Sequence, residues 1–346
     1  MVKFVQYGMG KMSKYTIRYA MEKGYEFVGA FDIDKNKIGK DASIILGGKD
    51  TGVIIKSDKE FESFLKENAI DIVIVTTRSL IAEVEDALYI CAKCGVNAVT
   101  ICEEAFYPQN SHPKVFEKID DIARQNKCVV TGTGYQDVFW GNLITTLAGA
   151  THKISAIKGQ SSYNVEDYGI ALAKAHGVGL TVEEFERDIA SVDNISDSER
   201  EALISRGEFL PSYMWNVNGW LVGKFGLTLD RQTQKCVPII ASEDMTCASI
   251  GLDIKKGQVR GMSAVVTTTT KEGITIESQC VGKLYLDTEC DTNDWEIIGE
   301  PSTRVVISRP STVELTCATC VNRIKDILSS SEYGFITTDH FETPKY

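Results

Sequence analysis

The sequence predicts an α/β fold over its first half, a doubly wound parallel sheet, followed by an α+β domain with a mostly antiparallel sheet. Over residues 1–150, short segments rich in Val and Ile alternate with segments of helical spacing. These apolar segments show little polar alternation, which is typical of strands covered by helices on both faces. After residue 150, long Thr- and Val-rich segments broken by glycine indicate antiparallel strands instead.

The elements follow from these patterns in chain order. Strands are predicted at Lys3–Tyr7, Phe27–Phe31, Val53–Lys56, Asp71–Thr76, Asn97–Cys102 and Cys128–Thr131, and helices at Lys11–Lys23, Lys59–Glu67, Ala82–Cys94 and Lys114–Gln125. In the second half, strands are predicted at 153–165, Val259–Lys271, Gly273–Tyr285 and Arg304–Ser308, and helices within Leu180–Arg206, at 212–225 and at Ser311–Leu328. The expected domains are 1–150, 151–310, and a C-terminal helix and tail, 311–346, that packs back on the first.

Charge and hydropathy exclude several classes of partner. The 346 residues carry 37 basic and 48 acidic side chains, a net charge of −11, which excludes electrostatic binding to nucleic acid or to an anionic membrane. Residues 1–150 hold 18 of the basic and 20 of the acidic groups, so most of the excess lies in the second half. No segment approaches the ~20 apolar residues of a membrane span. The first residues enter a strand without a signal-peptide pattern, so a cytoplasmic location is expected.

Ten cysteines raise the question of a metal site. Cys91/Cys94 and Cys317/Cys320 have C-x-x-C spacing, but zinc requires a second pair within about 15–20 residues. Each pair also falls on an apolar helical stripe, where cysteine acts as a small core residue. No metal is therefore expected.

A glycine-rich turn follows the first strand. Gly8-Met9-Gly10-Lys11-Met12-Ser13 fits the G-x-G-x-x-small pattern of the Rossmann dinucleotide-binding fold, in which backbone approaches a pyrophosphate at a helix N-terminus. Asp32 ends the second strand, where an acidic side chain suits the ribose hydroxyls of NAD and repels the 2′-phosphate of NADP. NAD is the expected cofactor, with NADP as the alternative because Lys35 and Lys37 lie nearby.

Further cofactor contacts are expected where the next strands end, since the carboxyl ends of parallel strands form the binding edge. The candidates are Thr76, Thr77, Arg78, Cys102 and Glu103. Glu103 and Glu104 together place two like charges at this edge. Such proximity raises a carboxylate pKa toward neutrality, as a proton-transferring group requires.

These motifs carry a family resemblance. The first half resembles the glucose–fructose oxidoreductase and inositol dehydrogenase superfamily and the related dihydrodipicolinate reductases. In the sugar dehydrogenases a C-E-K-P-like motif supplies a catalytic lysine, and Cys102-Glu103-Glu104-Ala105 places Glu104 at that position. A carboxylate there resembles the 2,4-diaminopentanoate dehydrogenases and the native amine dehydrogenases grouped with them. The resemblance implies an NAD(P)-dependent oxidoreductase acting on an amine, or on a ketone plus ammonia.

The substitution has a physical reason. A lysine would repel an ammonium substrate, whereas a carboxylate attracts the amine, accepts its proton and stabilises the iminium that forms. Glu104 is therefore the expected acid/base, with Glu103 as the alternative because alternate strand residues face opposite sides.

Substrate contacts are expected from the segment after the sixth strand and from the start of the second domain. The candidates are Tyr135, Gln136, Phe139, Trp140, Asn164, Tyr168 and His176. The aromatic residues favour a simple ketone or short keto acid over a diamino acid. Asp137 is interpreted as the N-cap of the next helix, and His176 as either a site residue or a capping or surface residue.

Other functions remain open at this point. A sugar or alcohol dehydrogenase lacks its lysine at position 104, and the adjacent histidines of dihydrodipicolinate reductase do not occur near 150–180. A non-catalytic NAD sensor on the same fold is a further alternative. A homodimer is expected because an open sheet in the second domain requires a partner to cover one face.

Overall fold

The structure, a computed structural model, describes residues 1–247 and 251–346. The chain divides into two compact units. The first comprises Met1–Asn142 and Ser311–Tyr346, and the second comprises Leu143–Pro310. The first unit is thus assembled from two separate stretches of the chain, the second of which contains helix α12 (Thr312–Leu328) and the tail. The sequence places the join near residue 150, and the contacts divide the chain after Asn142.

The first unit contains a seven-stranded sheet. Its strands are β1 (Lys3–Tyr7), β2 (Glu26–Asp32), β3 (Ile55–Ser57), β4 (Ile72–Val75), β5 (Asn97–Thr100), β6 (Val129–Gly132) and β15 (Gly334–Phe335). Its helices are α1 (Ser13–Glu22), α2 (Ser43–Leu46), α3 (Phe61–Glu67), α4 (Ile81–Lys93), α5 (Pro113–Gln125) and α12 (Thr312–Leu328). The strands are ordered β15-β6-β5-β4-β1-β2-β3 and every pairing is parallel. The predicted Rossmann sheet is confirmed.

Apolar side chains on alternate residues of each strand explain the two layers of helices. In β4, Val73 and Val75 pack in a core with Val84, Leu88 and Cys91 of α4. The intervening Ile72 and Ile74 face the opposite core, which contains residues of α1 and α12, among them Cys320, Val321 and Ile324. Burial on both faces accounts for the continuous Val/Ile runs in these strands. Cys91, Cys317 and Cys320 have no exposed surface, in keeping with the predicted packing role.

The second unit contains a six-stranded sheet and a two-stranded one. The strands are β7 (Lys153–Asn164), β8 (Leu229–Ile240), β9 (Met245–Cys247), β10 (Leu252–Ile254), β11 (Val259–Thr270), β12 (Thr275–Lys283), β13 (Thr292–Glu300) and β14 (Thr303–Ser308). The helices are α6 (Leu143–Ala148), α7 (Ile170–Ala175), α8 (Val182–Phe185), α9 (Ser191–Asp193), α10 (Asp197–Arg206) and α11 (Tyr213–Lys224). The large sheet is ordered β14-β13-β7-β12-β11-β8, with only β7 and β12 parallel. The predicted, mostly antiparallel sheet is confirmed.

Helix α11 covers one face of the large sheet. Asn218, with no exposed surface, donates from Nδ2 to Thr268 Oγ1 (3.1 Å), and the Ser278 hydroxyl donates to Asn218 Oδ1 (2.6 Å). On the opposite face of the sheet, Glu277 of β12 and its neighbour Lys158 of β7 are exposed, so this face is open. Within the described residues, no helix combines the length and hydropathy needed to cross a membrane.

Candidate active site

The glycine turn after β1 has the geometry of a phosphate-binding loop. Gly8 adopts φ +91°, and a Cβ at this position would lie 2.8 Å from the Thr76 carbonyl oxygen and 2.6 Å from Thr77 Cγ2. Only glycine fits there without a shift of the backbone. A Cβ at Gly10 would meet nothing within 4 Å. The turn is therefore closely packed against Thr76 and Thr77 at Gly8, whereas the space next to Gly10 is open.

Helix α1 begins next to this turn, at Ser13, two residues later than the sequence predicts. Its N-terminus has no side-chain cap; instead the Ser13 hydroxyl donates to the Gly10 carbonyl oxygen (2.7 Å). The first N–H groups of α1 and its positive dipole end are thus available to an anion. The Met9 side chain is buried in the core, so Met9 can contribute only main-chain atoms, whereas Lys11 is exposed and Met12 half-buried.

Asp32 connects the end of β2 to the glycine turn. Its Oδ2 accepts a hydrogen bond from the Met9 N–H (2.8 Å), and its Oδ1 accepts one from the Asp34 N–H (2.8 Å). Burial opposes ionisation of Asp32, but these bonds and the Lys37 ammonium (3.2 Å from Oδ2) outweigh it, so the pKa of Asp32 is lowered. The carboxylate is ionised and holds the turn in place.

The three cofactor contacts predicted after β4, Thr76, Thr77 and Arg78, differ in their exposure to solvent. Thr76 is buried, and its hydroxyl donates to the Gly8 carbonyl oxygen (3.1 Å) while accepting from Gln6 Nε2 (2.8 Å). Thr77 and Arg78 are exposed at the same strand end. Thr76 therefore supports the turn from within, and the next two residues present their side chains to solvent.

Together these features fit a dinucleotide. A pyrophosphate requires the turn that only glycine allows at Gly8, the open space next to Gly10 and the uncapped start of α1. An adenosine ribose requires the carboxylate at the end of β2. Ile33, next to Asp32, is 68% exposed, although large apolar side chains are usually buried. Ile33 is not among the predicted site residues, although an apolar residue directly after the strand-end acid is a signal that the sequence contains.

Glu104 lies in a short 3-10 turn, Glu104–Phe106, after β5. It is 5% exposed; its Oε2 accepts from the Ile81 N–H at the start of α4 (2.8 Å), and its Oε1 accepts from the Ser111 hydroxyl (2.7 Å). Burial raises the pKa of Glu104, and these two hydrogen bonds and the nearby His112 offset the rise only in part. The raised pKa brings the carboxyl closer to the range in which one group can both accept and donate a proton.

Glu103 precedes it and is half-buried. Burial raises the pKa of Glu103 as well, partly offset by a hydrogen bond from the Ser79 side chain. The Ser79 carbonyl oxygen accepts from the Glu104 N–H (3.1 Å) and from the Cys102 thiol (3.1 Å). Residues 102–104 are thus tied to the segment between β4 and α4. Cys102 has no exposed surface, so its side chain does not face a ligand.

The segment after β6 carries the aromatic candidates: Phe139 and Trp140 lie on a wide, π-helical turn, Asp137–Asn142, and Tyr135 lies just before it. Tyr135 and Phe139 stack with ring centroids 4.4 Å apart at 7°, and Trp140 meets Tyr135 edge-on at 5.6 Å. Turns of this type are rare and recur at functional sites. Gln136 is 4% exposed, and its Nε2 donates to the Thr133 carbonyl oxygen (3.2 Å).

Asp137 differs from its predicted N-cap role. Its carboxylate is fully buried and forms a bidentate ion pair with Arg323 of α12, with Nε–Oδ2 at 2.7 Å and Nη2–Oδ1 at 2.8 Å. The Thr133 hydroxyl (2.7 Å) and Asn142 Nδ2 (2.9 Å) also donate to it. The prediction was wrong because a charge-assisted pair with a distant arginine is stronger than a local backbone cap.

The remaining candidates lie in the second unit. Asn164 caps the short 3-10 turn Val165–Tyr168, since its Oδ1 accepts from the Glu166 N–H (3.2 Å), and Tyr168 is 59% exposed.

His176 is 6% exposed, and its Nδ1 donates to the Leu172 carbonyl oxygen (2.9 Å). Its Nε2 therefore accepts from the hydroxyl of Tyr163 (2.6 Å), a residue the sequence analysis missed. Burial lowers the pKa of His176, so it is neutral.

Comparisons with known proteins indicate the family. The amine dehydrogenase from Mycobacterium smegmatis is 34% identical and superposes with a TM-score of 0.82, covering 100% of this chain and 97% of that one. The 2,4-diaminopentanoate dehydrogenase from Acetoanaerobium sticklandii is 24% identical over 196 residues, and the chain spans about half (54%) of the length of this curated relative.

More distant structures share the fold alone. The myo-inositol 2-dehydrogenase from Lactobacillus plantarum is 10% identical, with a TM-score of 0.54 over 94% of this chain and 88% of that one. No protein-family model matches the chain.

Proposed function

The chain belongs to the amine dehydrogenase family, and from this premise we propose that it oxidises an amine to a ketone with NAD(P)⁺ and aminates the ketone in the reverse direction. The balanced reaction is amine + NAD(P)⁺ + water ⇌ ketone + ammonia + NAD(P)H + H⁺. The observation that carries the proposal is the buried carboxylate of Glu104, which stands where the related sugar dehydrogenases have a lysine.

The cofactor site follows from the described residues. The turn at Gly8 and Gly10 and the start of α1 would hold the pyrophosphate, and Asp32 would face the adenosine ribose. When bound, the nicotinamide ring accepts a hydride from the amine carbon or returns it to the imine carbon.

Glu104 is the proposed acid/base. In the oxidative direction a Glu104 oxygen takes the proton from the substrate ammonium, so that the nitrogen lone pair can assist loss of hydride from carbon. Once that proton has passed to solvent, the ionised carboxylate can stabilise the positive charge of the iminium. In the reverse direction the protonated carboxyl returns its proton to nitrogen. The raised pKa of Glu104 supports both roles.

The aromatic turn bears on the substrate. Tyr135, Phe139 and Trp140 form an apolar cluster within residues 135–140 of the first unit, with Phe139 stacked on Tyr135 and Trp140 edge-on to it. An apolar wall favours a simple ketone or a short keto acid, and it disfavours a second charged amine. The similarity to the Acetoanaerobium enzyme supports 2,4-diaminopentanoate as the second candidate. The predicted contacts in the second unit, Asn164, Tyr168 and His176, stay predictions.

We further propose that the protein acts as a homodimer in the cytoplasm. The open face of the large sheet, which exposes Lys158 and Glu277, supports a second copy of the chain as its partner. Cys91, Cys317 and Cys320 are buried free thiols, which suits a reducing compartment. Light scattering coupled to size exclusion tests the subunit count.

The decisive experiment measures NADH and NADPH consumption with a panel of ketones and keto acids, with and without ammonium. Ammonium-dependent turnover is expected. Turnover without ammonium would indicate an alcohol or sugar dehydrogenase, and tight NADH binding without turnover on the whole panel would indicate a sensor. Including 2-amino-4-oxopentanoate, the ketone formed from 2,4-diaminopentanoate, separates the two substrate candidates.

A further inference from the structure

Lys37 occupies an unexpected position beside the proposed ribose site. Its Nζ lies 3.2 Å from Asp32 Oδ2 and 3.7 Å from Asp34 Oδ2, so one ammonium bridges two carboxylates. The Lys37 side chain is 26% exposed and that of Asp32 is 10% exposed. The pair is therefore partly shielded from water, and the attraction exceeds that of a fully exposed ion pair.

This ion pair changes what Asp32 can do. An acidic residue at the end of the second strand normally accepts hydrogen bonds from the ribose hydroxyls and repels a 2′-phosphate. Here Oδ2 already accepts from Met9 and Lys37, and Oδ1 accepts from the Asp34 N–H. Of about four lone-pair positions on a carboxylate, three are used. Asp32 keeps some capacity for a ribose hydroxyl, but its negative charge is offset.

We propose that Lys37 is the residue that sets cofactor preference, admitting NADP(H) alongside NAD(H) by offsetting Asp32 and supplying an ammonium to the 2′-phosphate. The inference rests on the proposed function, because it assigns the adenosine ribose to this strand end. The flexible four-carbon stem of lysine lets the ammonium reach the phosphate while it stays close to Asp32, without movement of the backbone.

Lys35 is the competing residue. Its side chain is exposed, and within residues 1–247 and 251–346 the structure gives it no ion pair, whereas Lys37 is held by two. Lys35 therefore leaves the charge of Asp32 unchanged. The structure favours Lys37 over Lys35 as the determinant.

The test is direct binding, measured by the fluorescence of NADH and NADPH titrated with the full chain. Lys37→Met is expected to weaken NADPH binding by roughly tenfold or more, the effect of one charge-assisted hydrogen bond, and to change NADH binding less than about twofold. Lys37→Arg is expected to retain NADPH binding. Lys40→Met, an exposed lysine nearby, is the matched control and should alter neither constant.

A pair of smaller ligands measures the contribution of the 2′-phosphate alone. Adenosine 2′,5′-bisphosphate should displace NADH more effectively than adenosine 5′-monophosphate from the wild type, and this advantage should disappear in Lys37→Met. Equal losses of NADH and NADPH binding in Lys37→Met, no loss of either, or a selective NADPH loss in Lys35→Met instead would overturn the proposal.

Failure of this inference and failure of the proposed function are distinguishable. A wild-type chain that binds NADH but not NADPH contradicts the role of Lys37 and leaves the amine dehydrogenase proposal intact. A chain that binds neither cofactor contradicts both. Thermal melting of each variant identifies any loss that comes from unfolding.

Discussion

Arg323 and Asp137 form a bidentate ion pair in which neither side chain has any exposed surface. The pair joins α12 to the turn Asp137–Asn142, whose Phe139 and Trp140 pack against Tyr135. Arg323 Nη1 also donates to Asp326 Oδ2 (2.8 Å) and to the Glu342 carbonyl oxygen. One guanidinium thus fixes the aromatic turn, the last long helix and the C-terminal tail to one another.

Removing one partner should leave a buried charge without compensation. Arg323→Met is expected to lower the free energy of unfolding by about 3–5 kcal/mol, measured by denaturant titration. Arg304→Met is the matched control, because its pair with Asp294 is solvent-exposed and should contribute less than about 1 kcal/mol. Equal effects of the two substitutions would contradict the structural importance assigned to the buried pair.

The two glycines of the dinucleotide turn should respond differently to alanine. Gly8→Ala forces a Cβ against Thr76 and requires a positive φ, so we expect a loss of about 1–3 kcal/mol in unfolding free energy. Gly10→Ala has space for its Cβ and should fold normally. It should still weaken NADH binding, because the methyl group enters the space left open for the pyrophosphate. Unchanged NADH affinity in Gly10→Ala would argue against that placement.

Glu104 and Glu103 can be separated by isosteric substitution. Glu104→Gln and Glu104→Ala should reduce kcat for ammonium-dependent NADH oxidation by roughly 10²–10⁴-fold, the usual effect of losing a general acid/base. NADH affinity should stay within about twofold, since the expected role is proton transfer rather than cofactor binding. Glu103→Gln is the matched control. If it abolishes turnover while Glu104→Gln retains it, the roles are reversed.

A cluster in the second unit predicts a pH dependence of stability. Glu289 accepts hydrogen bonds from Arg260 Nη1 (2.6 Å) and from the Lys283 ammonium. Burial opposes ionisation of Glu289, but these donors outweigh it and lower its pKa from 4.5 to about 2. Because the folded pKa lies below the unfolded one, the stabilisation is present above about pH 4.5 and is lost as the pH falls toward 2.

Glu289→Gln is therefore expected to be less stable than the wild type by about 1–2 kcal/mol at neutral pH, with the difference shrinking below about pH 4. Thermal or denaturant unfolding across pH measures it. Glu277→Gln, at an exposed glutamate on β12 of the same unit, should show no such trend. A difference that stays constant with pH would exclude the ionic contribution.

The dinucleotide site could be predicted because its determinants are local. A strand, a glycine turn and a helix are consecutive in the chain, and parallel strands bring their carboxyl ends to one edge, so Gly8, Asp32 and Thr76 converge by topology alone. The structure confirms the fold class and contains these contacts. It also shows that Met9 and Cys102 turn their side chains into the core, which spacing along a turn does not indicate.

Longer-range features were beyond the sequence. Asp137 and Arg323 are 186 positions apart, and a local capping rule was the only guide to Asp137. The pattern of α12 predicts that Arg323 has a buried partner but does not identify it: Arg323 interrupts the apolar stripe Cys320, Val321, Ile324, and an arginine on a buried face requires a buried partner. Strand β15 has two residues, too few for any periodicity, and its pairing with β6 depends on tertiary structure.

The dependence of the first unit on both chain ends has a consequence for protein synthesis. The core around Phe4, Met9 and Ile17 also contains Cys320, Val321 and Ile324, and β15 forms the edge of the same sheet. During translation, residues 143–310 leave the ribosome before these last pieces exist. The inserted unit can therefore fold while the first unit is still incomplete, and the packing around Gly8 is completed only once residues 311–346 have been synthesised.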